Sequence, residues 1–327
     1  MIALADIPSA PWAIFIAAIL FFLALDLGVF HRRAHVVTFR EALIWTGVWF
    51  ACAMIFAFVA APLLVGNWTR ETSVLFVTGY IIELSLSMDN VFVIALIFTY
   101  FRVPLEYQHR VLFWGILGAL VMRGVMIGVG VAVVREFEWV LYVLGTFLVF
   151  TGIKMIFAGE EEVDPEKNIA IRLARKLYPV SASFDGQKFL TQLNGRRALT
   201  PLALVLLMVE TTDLIFAVDS IPAIFGVTNN GFVIFTSNVF AILGLRSLYF
   251  VLAGAIGYFR YLKVGLSVVL VFIGLKMLLD PHGGVPKWFQ LKVSTTMSLA
   301  IVTGIILVSV TASLLVSMNE ARRKAKS

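Results

Sequence analysis

Nine apolar stretches, most of them roughly 18 to 25 residues long, follow one another along this chain and dominate what it can become. A run of about 20 apolar residues spans the hydrocarbon core of a bilayer, and lipid forces each spanning segment to satisfy its own backbone polar groups, as a helix does. The stretches are Ala10–Phe30, Glu41–Val65, Val74–Phe101, His109–Val134, Trp139–Ala158, Leu199–Ile224, Phe232–Ala255, Leu262–Leu279 and Leu291–Ser317. Only 14% of the residues are charged, against about 25% in an ordinary soluble domain. The expected fold is therefore an all-α membrane protein of about nine transmembrane helices, one polytopic domain over residues 1–327. The first stretch is too long for a signal-peptide core and runs into His31-Arg32-Arg33 without a small-residue cleavage pattern, so it reads as a permanent span. Between the fifth and sixth spans, residues 159–198 are polar and charged and contain Pro165 and Pro179. They are expected to form a solvated linker with one short amphipathic helix over Ile169–Leu177.

The net charge of +6 is spread through short connections with no aromatic-basic stripe, which argues against a nucleic-acid partner. Topology accounts for it. With the N-terminus outside, 18 of the 26 Lys and Arg fall on the cytoplasmic side, and only Arg70, Arg135, Lys287 and Lys292 fall on the other. Basic connections stay cytoplasmic during insertion, so the expected orientation is N-out, C-in. Cys52 is the single cysteine and lies in an apolar run, so it can form neither an internal disulfide nor a thiolate metal cluster and reads as core filler.

Spans three to five and six to eight look alike. Ser87-Met88-Asp89-Asn90-Val91 in the third corresponds to Ala217-Val218-Asp219-Ser220-Ile221 in the sixth, each with an acid six residues earlier, Glu83 and Asp213. The fourth and seventh each carry a mid-span arginine, Arg123 and Arg246. Leu148-Val149-Phe150-Thr151-Gly152-Ile153-Lys154-Met155 in the fifth matches Leu270-Val271-Phe272-Ile273-Gly274-Leu275-Lys276-Met277 in the eighth. Span three starts outside and span six inside, so repeat A (74–158) and repeat B (199–279) form an inverted repeat of three plus three helices. The helices at 10–30, 41–65 and 291–317 are peripheral. Inverted repeats suit transporters, whose two halves exchange conformations around a central site.

Two spans hold five carboxylates, Glu83, Asp89, Glu210, Asp213 and Asp219. Each costs about 2.5 to 3.5 kcal/mol at the bilayer centre on insertion scales for Asp, so each should face a polar partner inside the protein. A divalent cation would neutralise carboxylates converging from both halves, and Asn90 and Ser220 add neutral oxygens. At about 100° per residue Glu83, Ser87 and Asn90 share one helix face, while Asp89 points well away from it. Pro222 cannot donate to Val218, so the sixth span is expected to kink or unwind near Asp219 and release carbonyl oxygens. By symmetry a break is conjectured at Ser85–Ser87. The alternative is a buried ion-pair network with the intramembrane bases. Lys154 and Lys276, near span ends, should snorkel to water; Arg123 and Arg246 are instead expected to act as counter-ions to the acids when no metal is bound. His31, His35, His109 and His282 lack zinc-ligand spacing. Met88 and Met208 adjoin the acids as possible thioether ligands, although methionine in an apolar helix is usually a gap filler.

The segments Glu83–Asn90 (E-L-S-L-S-M-D-N), Val209–Pro222 (V-E-T-T-D-L-I-F-A-V-D-S-I-P), Phe235–Arg246 and the two Gly-x-Lys-Met motifs resemble the TerC family, most closely its Alx-like bacterial members. The resemblance extends over nearly the whole chain. It implies a multi-pass protein of the bacterial inner membrane that exports manganese, with no permanently bound cofactor and Mn²⁺ as the transported substrate. The implied site is Glu83, Asp89, Asn90, Glu210, Asp213, Asp219, Ser220 and Asn238. Carboxylate, amide and hydroxyl oxygens suit manganese or calcium better than zinc or copper. The family name refers to tellurite resistance, and members are linked to metal supply for secreted enzymes, which leaves a membrane scaffold or metalation partner as an alternative. An intramembrane aspartyl protease built on Asp89 and Asp219 would need the Gly-x-Gly-Asp motif that this sequence lacks, so no enzymatic activity is expected.

Overall fold

The computed structural model describes residues 7–25, 38–157, 168–193, 195–253, 261–280 and 293–324. Residues 26–30 of the first expected span, residues 159–167 of the long connection, residues 291–292 of the last expected span, and His31, His35 and His282 lie outside the described residues.

The helices in chain order are α1 (Ser9–Leu25), α2 (Phe39–Ile55), a π-helical turn (Phe56–Ala60), α3 (Ala61–Leu64), α4 (Arg70–Tyr100), α5 (Leu105–Glu136), α6 (Val140–Phe157), α7 (Ile169–Leu177), α8 (Pro201–Phe225), α9 (Gly231–Ala253), α10 (Leu262–Leu279) and α11 (Thr295–Lys324). Eight described segments are long and apolar enough to cross a membrane: Phe39–Leu64, α4, α5, α6, α8, Gly231–Leu252 of α9, α10 and Thr295–Ser317 of α11. The described part of α1 is 17 residues long, short of that length. Local sequence sets the helix ends. Thr69 caps α4 in a reciprocal box with Thr72, and Thr200 caps α8 ahead of Pro201, where a missing N–H costs nothing.

Neither helix unwinds at its expected break. Helix α4 runs unbroken through Ser85–Ser87, where the Ser85 hydroxyl donates back to the Ile81 carbonyl at 2.6 Å. Helix α8 stays α-helical past Asp219 with Pro222 inside it. That proline lies within the last turn, so it removes one hydrogen bond where the helix is about to end. The linker also holds more structure than expected. Its helix α7 covers Ile169–Leu177 as read from the sequence, but a hairpin follows, β1 (Leu190–Leu193) pairing antiparallel with β2 (Arg196–Leu199) in the register Leu193↔Arg196. Gly195 takes φ +75°, the left-handed conformation that a tight hairpin turn requires and glycine adopts without strain.

Helices α4, α5, α8 and α9 form the centre, each of α4 and α5 packing on both α8 and α9. Gly79 of α4 lies beside Ile224 of α8, whereas Asn90 bonds Asp213, so α4 and α8 run antiparallel. Helices α6 and α10 meet backbone to backbone. A Cβ on Gly274 would sit 2.7 Å from the Gly145 carbonyl and 2.9 Å from Val149, and one on Gly152 would sit 2.8 Å from the Ser267 carbonyl and from Val271. Lys276 is buried to 7% exposure, against the expectation that it snorkels to water, whereas Lys154 lies on the exposed face of α6. Gly274→Ala is expected to destabilise the fold by about 1 to 3 kcal/mol, because the two backbones must separate. Gly128→Ala, which meets nothing within 4 Å, should instead raise the unfolding midpoint through helix propensity. Equal shifts in the two variants would refute the close approach of α6 and α10.

Candidate functional site

Three helices deliver the charged groups. From α4, Glu83, Ser87 and Asn90 point inward together, each no more than 3% exposed. Asp89, a residue before Asn90 and rotated by about 100°, is half-buried. Arg123 on α5 and Asp213 and Ser220 on α8 complete the cluster. Arg123 is 2% exposed and pairs with acids from both sides: Nη1 bonds Glu83 Oε1, while Nη2 and Nε donate to Asp213 Oδ1 and Oδ2 at 2.8 and 3.2 Å. The second pair is the two-pronged fork by which a guanidinium grips a carboxylate. Nη1 also reaches Ser220 Oγ at 3.3 Å, and Asn90 Nδ2 donates to Asp213 Oδ1 at 3.1 Å.

Two carboxylates, Glu83 and Asp213, meet the Arg123 guanidinium in a dry setting, and a second guanidinium, Arg246, lines the cavity beside Asp213. The same face of α4 carries three more oxygens, Glu83 Oε2, Ser87 Oγ and Asn90 Oδ1, that are buried without a hydrogen-bond partner. Buried polar atoms are nearly always paired, so three orphaned oxygens beside a carboxylate pair mark a place that suits a cation. Asn90, Thr212, Asp213 and Arg246 line a cavity of about 20 Å³, space for one water or one bare ion. Its other walls are apolar and include Ile94, Leu112 and Val209, so it lies toward the end where α4 finishes and α5 begins. Toward the opposite end Ile82, Ile127, Ile221, Ile224 and Phe225 pack into one closed apolar cluster.

The structure thus brings Glu83, Asn90, Asp213 and Ser220 together through Arg123. Asp89 and Asp219 are half-buried on neighbouring positions, and neither is without a partner. Glu210, also half-buried, rests its carboxylate against Gly118 of α5. Asn238 is 1% exposed on α9 and leaves its Nδ2 without a partner. Met88 and Met208 pack into the apolar cluster of Val91, Val111 and Val205, away from the cavity lining. Among the described residues no three His, Cys, Asp or Glu side chains converge tightly enough to hold a metal, because the guanidinium occupies the space between the two acids. The expected ligand set omits Ser87 and Thr212. Ser87 was readable from the helical face it shares with Glu83, whereas Thr212 enters only through the packing of α8 on α5.

The profile of the integral membrane protein TerC family matches residues 68–324. A membrane protein of Myxococcus xanthus named STKORF319 is 50% identical over 309 residues, 94% of this chain and 92% of that protein. A protein of Escherichia coli (strain K12) named Alx, described as a proposed membrane-bound redox modulator, is 43% identical over 303 residues, 91% of this chain and 92% of its own length. A membrane protein of Rickettsia bellii is 38% identical over 288 residues, 88% of this chain and 94% of that protein. No solved structure matches the chain.

Proposed function

The chain belongs to the TerC family of integral membrane proteins, and on that premise we propose that it is a secondary transporter exporting a divalent cation, manganese foremost, across the bacterial inner membrane. The observation that carries this reading is the meeting of Glu83 and Asp213, the corresponding acids of the two helix triplets, beside three orphaned oxygens. In the cation-free state Arg123 holds the acids together. A divalent ion carries the charge that both acids need, so its arrival releases the guanidinium and recruits Glu83 Oε2, Ser87 Oγ and Asn90 Oδ1. All these donors are hard oxygens, which favour manganese or calcium over zinc or copper.

Alternating access follows from the inverted repeat. Aligning Gly152 with Gly274 aligns Gly145 with Ser267 and Val149 with Val271, so the Gly145–Gly274 contact becomes the Ser267–Gly152 contact when the halves are exchanged. Such self-mapping is what a two-fold relation between antiparallel helices produces. The same exchange turns Glu83 into Asp213, Asn90 into Ser220 and Arg123 into Arg246, so the opposite-facing state has Arg246 between the acids. The cavity lies on the side read as cytoplasmic, where an exported ion enters. A reporter fused after Ser327 is expected in the cytoplasm and one inserted within Asn229–Gly231 outside; the reverse at either place overturns the orientation and the inverted repeat with it.

The redox name of the Escherichia coli relative does not come over as dithiol chemistry, since Cys52 has no second cysteine to pair with. Manganese flux through the purified protein in liposomes tests the proposal. Absence of flux for every divalent ion would favour the scaffold alternative, and zinc flux without manganese flux would overturn the hard-oxygen site.

A further inference from the structure

The cavity beside Asp213 is shut one helical turn further on. Four residues are about one turn at ~100° per step, so a shift of four keeps a side chain on nearly the same helix face. From the cavity-lining Ile94, Leu112 and Leu245, that shift toward the end where α4 finishes and α5 begins gives Phe98, Gln108 and Tyr249. The direction on α9 is fixed because α9 runs antiparallel to α5: Tyr249 bonds Gln108, whereas Phe235 lies beside Gly124. All three side chains are no more than 7% exposed. Tyr249 Oη donates to Gln108 Oε1 at 2.9 Å, and the Phe98 and Tyr249 rings meet edge to face with centroids 5.4 Å apart. The other amide atom holds Gln108 in place, since Nε2 donates to the Val103 carbonyl at 3.2 Å. A carbonyl only accepts, so the amide nitrogen faces Val103 and the amide oxygen faces the phenol.

We propose that Phe98, Gln108 and Tyr249 are the gate between this cavity and the side read as cytoplasmic, an inference that rests on the transport reading above. Phe98 and Gln108 stand on α4 and α5 of the first helix triplet and Tyr249 on α9 of the second. The Tyr249–Gln108 bond therefore ties the two halves together at the end where they must part for an ion to enter. The opposite end is closed by the apolar cluster of Ile82, Ile127, Ile221, Ile224 and Phe225, so the cavity is shut on both sides, as in the occluded state of a carrier. The bond is suited to repeated opening. A neutral hydrogen bond adds little net stability, because water replaces it when the layer parts, whereas a buried acceptor left without its donor is costly. Loss of either partner thus burdens the shut state and leaves the open, hydrated state unchanged.

Thiol labelling tests the gate, in a Cys52→Ala, Ala119→Cys protein in inside-out membrane vesicles exposed to a membrane-impermeant methanethiosulfonate. Ala119 lines the cavity and is buried, so its replacement reacts only when the gate parts. Adding Tyr249→Phe keeps the ring against Phe98 and strands Gln108 Oε1. The labelling rate should then rise by about 5- to 150-fold, the factor that corresponds to a buried acceptor left unsatisfied. Gln108→Asn, one methylene short of the phenol, should act in the same direction. Ala223→Cys, placed instead in the closed apolar cluster at the opposite end, should keep its rate in both variants. A rate at Ala119→Cys that neither variant raises overturns the gate, and so does an equal rise at Ala223→Cys, which means that the whole fold has loosened. Manganese flux in liposomes separates the two readings. Flux with unchanged labelling sinks the gate alone, whereas faster labelling without flux of any divalent ion leaves the gate standing and sinks the transport reading.

Discussion

Asp213→Asn is expected to reduce manganese flux in liposomes at least about a hundredfold, since even groups one shell removed from a metal are worth roughly 10- to 100-fold in affinity. The substitution keeps the shape of the side chain and its hydrogen bond with Asn90, but it removes one of the two charges that balance a divalent ion. Glu83→Gln should have the same effect from the other half, and Ser87→Ala a smaller one, because a neutral oxygen contributes no charge. Asp89→Asn and Asp219→Asn separate two versions of the site. If the half-buried acids are ligands in another state of the cycle, both abolish flux while protein remains in the membrane. If the Arg123 cluster alone binds the ion, they slow the cycle without changing the manganese concentration dependence. Manganese and calcium should be compared at equal concentration in wild type and in Met88→Ala and Met208→Ala. Both methionines sit in the apolar cluster, so their removal should leave the ratio of the two ions unchanged; a narrowed ratio would instead place a thioether on the ion. Loss of folding in Asp213→Asn with intact flux per folded molecule would count against a cation site and for a purely structural ion pair.

Arg123→Gln should lower stability by about 3 to 5 kcal/mol, the range for removing one partner of a buried ion pair. It would strand Glu83 and Asp213 without their guanidinium. Adding Glu83→Gln and Asp213→Asn to Arg123→Gln should return most of that loss, because neutral groups of the same shape no longer leave a buried charge unpaired. The unfolding midpoint of the single and triple variants measures both effects. Divalent manganese should raise the midpoint of Arg123→Gln more than that of wild type, since in the variant the ion need not displace an arginine. A triple variant as unstable as the single one would mean that Arg123 contributes by packing and not by charge. Arg246→Gln should stop the transport cycle, since the exchange of halves proposed above assigns Arg246 to the place between the acids in the opposite-facing state.

Much of this was legible before any coordinates. Apolar run length located eight of the nine expected spans to within a few residues among the described residues, because lipid admits few alternatives to a helix of that length. Helical periodicity separated Glu83, Ser87 and Asn90 from Asp89, since the 100° step is a local property of the backbone. The helix Ile169–Leu177 was readable for the same reason, whereas the hairpin after it was not expected, because its two four-residue strands are too short to show a clear period. The breaks expected near Ser85 and Asp219 failed because one hydroxyl bonds back within its own helix and one proline lies within a last turn, so neither had to yield.

Which acids meet was decided only by tertiary structure. Read as a string, Asp89 and Asp219 were as good a pair as Glu83 and Asp213, and each occupied matching places in the two triplets. The rotation and depth at which α4, α5 and α8 pack brought one pair onto Arg123 and left the other half-buried. Those settings come from interdigitation of side chains far apart along the chain and from backbone approaches at glycines such as Gly145, Gly152 and Gly274. Local sequence determines a helix and its faces; which faces touch depends on the simultaneous fit of all the helices, a constraint that no single segment contains.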